Sequence, residues 1–264
     1  MPYASAADGA ALYYTVQGRD DGEPLVLIAG QSNGHRWWDA ALEDFTSTFR
    51  VITMDHRGIG GSDKPDDDSY STRNFAADVV AVLDAAGAGR AHVYGTSMGG
   101  RVAQWVAADH PHRVDRLVLG CTSPGGPHAV RRAESVSRSL TQYSARAVRQ
   151  ALLDLMYTPA WLAEHPGPYR TIGERGTPPH VLRKHRIASA RHDAWDVLPT
   201  ITAPTLVVHG TDDAFNPTAN APLLAERIPG ARLHLIPGAR HAYFEERRDL
   251  AGPLVRDFLS SVDR

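Results

Sequence analysis

The sequence predicts an α/β protein in which helices cover both faces of a mostly parallel sheet. Short apolar, often β-branched runs alternate with longer segments whose apolar residues recur at helical spacing. This alternation is typical of parallel sheets, whose strands are buried on both faces and are therefore apolar throughout. A first strand at 11–16 is expected at an antiparallel edge, and six further strands are predicted at 25–29, 51–54, 91–94, 116–119, 205–209 and 233–236.

Apolar residues on one helical face predict two of the connecting helices. The two stripes consist of Phe75, Val79, Val82 and Leu83, and of Leu250, Leu254 and Phe258. A third helix is predicted to begin at Asn216 and Pro217. Asparagine can accept an amide hydrogen bond at a helix start, and proline needs no donor there.

The segment 122–202 interrupts the alternation of strands and helices. It contains helical stretches at 145–156 and 181–191, separated by segments rich in proline and glycine. A loop of this length without structure of its own is uncommon in a compact domain. We therefore interpret 122–202 as a helical cap inserted into a core made of residues 1–121 and 203–264.

Composition and charge narrow the classes of function. Lysine and arginine (28) nearly balance aspartate and glutamate (30), and no basic stripe suited to nucleic acid is present. No apolar run approaches the roughly 20 residues that span a bilayer, and no secretory signal is recognised, so we expect a cytoplasmic protein. The 13 histidines lack metal-site spacing, and Cys121, the single cysteine, is expected to be a buried thiol. We expect no metal and no cofactor.

A G-x-S-x-G motif spans residues 95–99 and places Ser97 between a predicted strand and a predicted helix. A sharp strand-to-helix turn brings backbone segments so close that a Cβ would clash, which explains the glycines. Such a turn exposes Ser97 at the carboxyl edge of the sheet. The alternative is an ordinary glycine-rich turn or a phosphate loop, but the motif lacks both the Lys-Ser/Thr of a P-loop and the pattern G-x-G-x-x-G.

A serine hydroxyl needs a base within hydrogen-bond reach and a third group that holds the base. Two loops that follow predicted strands contain candidates, and the carboxyl ends of such strands meet at one edge of the sheet. His241 is the candidate base, whereas His92, His209 and His234 are interpreted as packing residues. The candidate acids are the adjacent Asp212 and Asp213.

These features resemble the α/β-hydrolase superfamily over almost the whole chain, and most of all its small esterases and enol-lactonases. The segments 55–62 (DHRGIGGS) and 192–193, before 201–205, resemble structural landmarks of that superfamily. Its pattern G-x-x-D-x-x-x-P, read from Gly210 to Pro217, implies Asp213 rather than Asp212 as the acid. The resemblance implies an α/β-hydrolase fold with an inserted helical cap and a triad of Ser97, Asp213 and His241.

Attack on a carbonyl creates an oxyanion that needs preorganised donors. The backbone amides of Met98 and Gln31 are the candidates. Related proteins commonly have His-Gly where this chain has Ala29-Gly30, so that histidine cannot brace the loop here. Compensating hydrogen bonds could come from Gln31, Ser32, Asn33 and His35.

Large side chains near the expected site suit an apolar pocket for a small molecule. The candidates are Trp37, Met156, Tyr157, Trp161 and Tyr243, each of which could equally be a packing residue. The cap is also richer in arginine than in acids. This is compatible with an anionic substrate, although solvated helix faces explain arginines as well.

The sequence thus predicts a serine hydrolase that cleaves a carboxylic ester or lactone through an acyl-enzyme. Haloalkane dehalogenases and related epoxide hydrolases are disfavoured, because they use aspartate at the position of Ser97. The same triad could instead serve carbon–carbon bond hydrolysis or peracid formation, and a hydrolase-fold binding protein with little turnover is a further alternative. The oligomeric state stays open.

Overall fold

An eight-stranded sheet forms the centre of the structure, a computed structural model that describes residues 2–167, 169 and 171–261. The strand order is β1-β2-β4-β3-β5-β6-β7-β8. The strands are β1 (Tyr3–Ser5), β2 (Ala11–Gly18), β3 (Pro24–Ile28), β4 (Arg50–Met54), β5 (Ala91–Thr96), β6 (Val114–Gly120), β7 (Thr205–Gly210) and β8 (Arg232–Ile236).

The sheet is parallel from β4 to β8 and antiparallel at the β1–β2 edge. β2 is the predicted antiparallel edge strand, and the other predicted strands are β3 to β8. The short strand β1, which pairs with β2, was not predicted. The predicted fold class, an α/β-hydrolase fold with a mostly parallel sheet, is confirmed.

Ten α-helices are assigned among the described residues. They are α1 (Glu43–Thr46), α2 (Thr72–Ala85), α3 (Met98–Asp109), α4 (Glu134–Ser139), α5 (Ala145–Met156), α6 (Pro159–Glu164), α7 (Pro179–Ala190), α8 (Asn220–Arg227), α9 (Tyr243–Glu246) and α10 (Arg248–Leu259). None of these helices is long and apolar enough to cross a membrane.

The core consists of one cluster on each face of the sheet, because successive strand residues point to opposite faces. Val26 and Ile28 pack with α2 and α3 in the first cluster. Leu25 and Leu27 belong to the second, together with residues of α1 and α10. Since all four of these strand side chains are fully buried, the strand is apolar throughout rather than alternating.

Helices α4 to α7 lie between β6 and β7 in the chain, within the segment interpreted as a cap. The predicted helical stretch 145–156 coincides with α5, and α7 begins and ends slightly before the predicted 181–191.

The helix predicted to begin at Asn216 and Pro217 was placed too early, because α8 begins at Asn220. Residues 214–219 form turns instead. The Asn216 side chain does not cap a helix: its Nδ2 donates to the carbonyl oxygen of Cys121 at 2.7 Å. Asn216 therefore ties the loop after β7 to the end of β6. Cys121 is buried, as expected.

The 55–62 segment joins the end of β4 to its surroundings through buried charges. The Arg57 guanidinium donates to both carboxylate oxygens of Asp78 on α2, at 2.7 and 2.6 Å. Both side chains are buried. Asp55 accepts hydrogen bonds from the backbone amides of His35 and Gly61. The segment thus fixes the loop after β3 as well as the loop after β4.

We expect Arg57→Met to lower the free energy of unfolding by about 3–5 kcal/mol, because it leaves the Asp78 carboxylate buried without its cation. Urea denaturation measures this. Arg73→Met is the control, since the Arg73–Asp109 pair involves a largely exposed arginine and its loss should cost about 0–1 kcal/mol. Equal losses in the two variants would contradict a stabilising role for the buried pair.

Candidate active site

Ser97 occupies a strained turn between β5 and α3. Its backbone lies at φ 56° and ψ −120°, a conformation that L-residues rarely adopt. A Cβ on Gly95 would lie 2.2 Å from the carbonyl oxygen of Gly99, and a Cβ on Gly99 would lie 2.1 Å from that of Ile28. The glycines of the motif are therefore required by close backbone contacts, as predicted.

Hydrogen bonds hold this turn against the neighbouring strand. The Ser97 amide donates to the carbonyl oxygen of Gly120 at 2.8 Å, and the Thr122 hydroxyl donates to the carbonyl oxygen of Ser97 at 2.7 Å. The Ser97 side chain remains partly exposed at the carboxyl edge of the sheet. Its neighbours at this edge are the loops that follow β3, β6, β7 and β8.

The Asp213 carboxylate, in the loop after β7, is buried and accepts hydrogen bonds at both oxygens. Oδ1 accepts from the backbone amides of Phe215 and Asn216, each at 2.9 Å. Oδ2 faces Nδ1 of His241 at 2.7 Å and Nε2 of His209 at 3.0 Å. Burial alone would raise the pKa of Asp213, but His241 and His209 outweigh it and hold the pKa far below its ordinary value. The carboxylate stays charged.

The contact with Asp213 fixes the tautomer of His241, the candidate base. Because the Asp213 carboxylate is an acceptor, Nδ1 of His241 carries the hydrogen of this bond, which leaves Nε2 as the basic nitrogen. The Phe215 ring packs edge-on against the imidazole, with 4.8 Å between centroids. The backbone amide of His241 donates to the carbonyl oxygen of Leu155, so α5 holds the loop that carries His241.

Asp212, the alternative acid, is exposed and accepts from the Thr211 hydroxyl at 2.9 Å. The structure therefore brings Asp213, and not Asp212, to His241. The two side chains diverge as expected for neighbours in a loop. The register of the superfamily pattern indicated this choice.

His209 contacts the candidate acid, a role that the sequence analysis missed. It ends β7, is fully buried, and shares Nε2–H between Asp213 Oδ2 and the carbonyl oxygen of Asn216. His209 therefore helps to position the Asp213 carboxylate, whose Oδ2 it shares with His241. The spacing of four residues between His209 and Asp213 was the available signal, but a strand-end histidine is more often a packing residue.

The two candidate oxyanion donors lie next to Ser97, one at the start of α3 and the other on the loop after β3. Met98 opens α3, where the first amides have no acceptor within the helix. Gln31 lies in a turn closed by the Asn33 amide and the carbonyl oxygen of Gly30, at 3.2 Å. A Cβ on Gly30 would lie 3.6 Å from the Ser97 Cβ. This loop therefore lies close to the serine, although a Cβ at Gly30 would make only ordinary van der Waals contact.

Two histidines from elsewhere in the chain brace this loop. Nε2 of His56 lies 3.0 Å from the carbonyl oxygen of Ala29. Nδ1 of His185, on α7, accepts from the Ser32 amide at 3.3 Å, and its Nε2 donates to the carbonyl oxygen of Arg57. Asn33 also contributes, since its Nδ2 donates to the carbonyl oxygen of Gln31, whereas His35 binds Asp55 instead. The sequence analysis did not identify His56 and His185.

The expected pocket residues lie in three different places. Trp37 lies beside the residue that precedes Ser97: its Nε1 donates to the Thr96 hydroxyl at 2.9 Å, and its ring is 3.4 Å from the position of a Cβ on Gly30. Met156 and Tyr157 are buried at the end of α5, where the Met156 carbonyl oxygen accepts from the Ala242 amide. Trp161 stacks between Tyr157 and His165 and lines a separate cavity of about 520 Å³.

Tyr243 is the expected pocket residue that the structure places elsewhere. It is fully buried, and its hydroxyl lies 2.8 Å from that of Tyr94 on β5. A Cβ on Gly120 would lie 2.4 Å from the Tyr243 hydroxyl oxygen. Tyr243 thus packs against the sheet, because the short helix α9 turns its first side chain into the core.

Comparisons with known proteins agree with this fold. A model of the α/β-hydrolase fold family matches residues 23–153. RutD of Variovorax paradoxus, provisionally named a carbamate hydrolase, is 33% identical over 95% of this chain and 97% of its own. Est816, described as degrading N-acyl homoserine lactones, is 32% identical with a TM-score of 0.81, over 97% of this chain and 100% of its own. The enol-lactonase of Burkholderia xenovorans LB400 is 26% identical with a TM-score of 0.84, over 98% and 100%.

The chain therefore belongs to the α/β-hydrolase family, and it is a hydrolase of that fold. Its relatives include esterase- and lactonase-type enzymes as well as RutD proteins.

His185, which is buried and contacts the loop after β3, should make the free energy of unfolding depend on pH. Burial and the nearby His56 lower the pKa of His185 to about 3, below the value of about 6.5 in an unfolded chain. Between these values the unfolded chain binds one more proton than the folded chain. The contribution of His185 to the free energy of unfolding is therefore fully present above about pH 6.5, and it decreases by about 1.4 kcal/mol per pH unit as the pH falls toward 3.

His185→Gln should flatten this slope between pH 6.5 and 4.5 by about one proton, as measured by urea denaturation at several pH values. His234→Gln, at an exposed strand position, is the control and should retain the slope of the wild type. An unchanged slope in His185→Gln would show that this histidine does not stay neutral in the folded chain.

Proposed function

We propose that this protein cleaves a carboxylic ester or lactone through an acyl-enzyme on Ser97. The observation that carries the proposal is the 2.7 Å contact between Asp213 and Nδ1 of His241, at the sheet edge where Ser97 occupies its strained turn. A carboxylate that holds Nδ1–H leaves Nε2 free to take a proton, which is what activation of a serine requires.

In the proposed reaction, the Ser97 Oγ attacks the substrate carbonyl while its proton moves to Nε2 of His241. The amides of Met98 and Gln31 donate to the oxyanion that forms. The intermediate then collapses, and His241 returns the proton to the leaving alcohol oxygen. In a lactone that oxygen remains attached to the acyl group, so the ring opens.

Deacylation repeats these steps with water as the nucleophile. His241 takes a proton from the water, the same amides face the second oxyanion, and the acid leaves as Ser97 recovers its proton. Asp213 stays ionised throughout, since two amides and two histidines satisfy its oxygens. Its role is to hold the imidazole and to stabilise the imidazolium that forms in each half-reaction.

Carbamate cleavage is a second candidate, favoured by the 33% identity to RutD of Variovorax paradoxus. It would use the same nucleophile, base and donors. A substrate panel separates the two: aryl esters and δ-valerolactone on one side, and a matched aryl carbamate on the other. A larger kcat/KM for esters and lactones supports the first proposal.

Ser97→Ala should abolish labelling by a fluorophosphonate and lower kcat for p-nitrophenyl acetate by about a million-fold. Gel fluorescence and a spectrophotometric assay measure the two effects. Ser32→Ala is the control, because Ser32 also has a positive φ and lies near the site but is not the proposed nucleophile. Wild-type protein that resists labelling would instead support a binding protein with a hydrolase fold.

Asp213→Asn should lower kcat by about ten-thousand-fold, because an amide cannot hold the imidazole in the required tautomer. Asp212→Asn is the matched control, and this exposed substitution should leave kcat within about twofold of the wild type. The reverse order of effects would transfer the acid role to Asp212.

A further inference from the structure

A cavity of about 450 Å³, distinct from the one lined by Trp161, lies beside the loop that carries Asp213. Its lining is mostly polar. Its volume falls within the range of small-molecule sites. We call it the arginine cavity, because Arg101, Arg131 and Arg132 line it, whereas no aspartate or glutamate among the described residues does. The triad residues are not in its lining, but Phe215 is, and the Phe215 ring also packs against His241 with 4.8 Å between centroids.

The Arg101 guanidinium, on α3, is hydrogen-bonded only to neutral groups among the described residues. Arg101 donates through Nη1 to the carbonyl and hydroxyl oxygens of Ser189, at 2.6 and 2.8 Å, and through Nη2 to the hydroxyl oxygen of Ser123 at 3.0 Å. Its buried Nε has no hydrogen-bond partner among the described residues. A guanidinium without a carboxylate partner is uncommon in a protein interior, where charges are normally paired.

A second guanidinium faces the same cavity. Arg132 stacks over the Phe215 ring, with Cζ 4.1 Å from the ring centroid, and it forms no ion pair within the described part of the chain. Burial and the like charge of Arg132 lower the pKa of Arg101. Burial also lowers the pKa of Arg132, and the nearby Asp213 charge offsets only part of this effect. An anion in the cavity would relieve both effects, because each cation would gain a counter-charge.

The hydroxyl groups suit the same kind of ligand. The hydroxyls of Ser123 and Ser189 accept from Arg101, so each retains its own hydrogen to donate. Guanidinium and hydroxyl donors that converge on one space match a group that only accepts, such as a carboxylate.

We propose that the arginine cavity binds a small organic carboxylate between Arg101 and Arg132. The choice of a carboxylate over other anions rests on the proposed function, because ester or lactone hydrolysis yields one. The carboxylate belongs either to the distal end of the substrate or to a separate molecule such as a product acid. In both cases it sits against Phe215, in the loop that holds Asp213.

Direct binding tests the site without any turnover. Isothermal titration of wild-type protein with succinate, at constant ionic strength, should give saturable binding, and sodium chloride at the same ionic strength should not. Arg132→Met should raise the Kd about tenfold or more, as expected for loss of a charge-assisted bond. Arg149→Met, which removes an exposed arginine of α5, should leave the Kd within about twofold.

A second pair of variants keeps the test valid if Arg132→Met fails to fold. Ser137 lines the cavity at an exposed position of α4. Ser137→Glu should raise the Kd for succinate about tenfold, because its carboxylate competes for the arginines, and the neutral Ser137→Gln should not. The absence of saturable succinate binding, or an equal Kd in all variants, would overturn the proposal.

Ester hydrolysis distinguishes the two sources of the carboxylate. If it belongs to the substrate, wild type should prefer the p-nitrophenyl monoester of succinate over p-nitrophenyl butanoate by about tenfold in kcat/KM, and Arg132→Met should lose this preference. If the carboxylate belongs to a separate molecule, added succinate should change the kcat/KM of wild type for p-nitrophenyl butanoate. The same addition should leave the kcat/KM of Arg132→Met unchanged. Succinate binding without any turnover of either ester would refute the proposed function, but it would still support a carboxylate site in the arginine cavity.

Discussion

The buried Asp213 carboxylate is the interaction on which the candidate site depends. A charge in this position is tolerated because backbone amides and two imidazoles donate to it from three sides. These donors come from the end of β7, from the loop after β7 and from the loop after β8. The carboxylate therefore stabilises the relative positions of these segments at the same time as it orients His241, and the loss of one donor would leave a buried charge incompletely satisfied.

The sequence predicted the features that depend on local pattern or chain order. The strands beside Ser97 follow from buried apolar runs, and the strained serine turn follows from glycines that leave no room for a Cβ. The contacts of His185 and His56 could not be predicted, because each joins segments that are distant in the chain. The contact of His209 with Asp213 was missed, because a histidine at the end of a strand is more often a packing residue. Tyr243 shows the converse limit, since a residue next to a candidate base in sequence can point into the core.

The loop with Gln31 illustrates how one lost side chain is replaced by others. This chain has Ala29 where relatives commonly have histidine, yet an imidazole still contacts the loop, because His56 reaches the Ala29 carbonyl oxygen from the end of β4. His185 adds a bond to the Ser32 amide from α7, outside the sheet. The position of Gln31, a candidate oxyanion donor, therefore depends partly on the helical segment between β6 and β7 and not only on the sheet.

The Glu246 side chain attaches the helical segment between β6 and β7 to the loop that carries His241, and this limits how the segment can be exchanged. One of its carboxylate oxygens accepts from the Thr158 amide and the other from the Arg240 amide, so a single side chain clamps the start of α6 to the residue before His241. Chimaeras that borrow the 122–202 segment from another hydrolase must therefore supply an amide in the place of Thr158. Without it, a graft intended to alter substrate preference would also loosen the loop that carries His241, the candidate base.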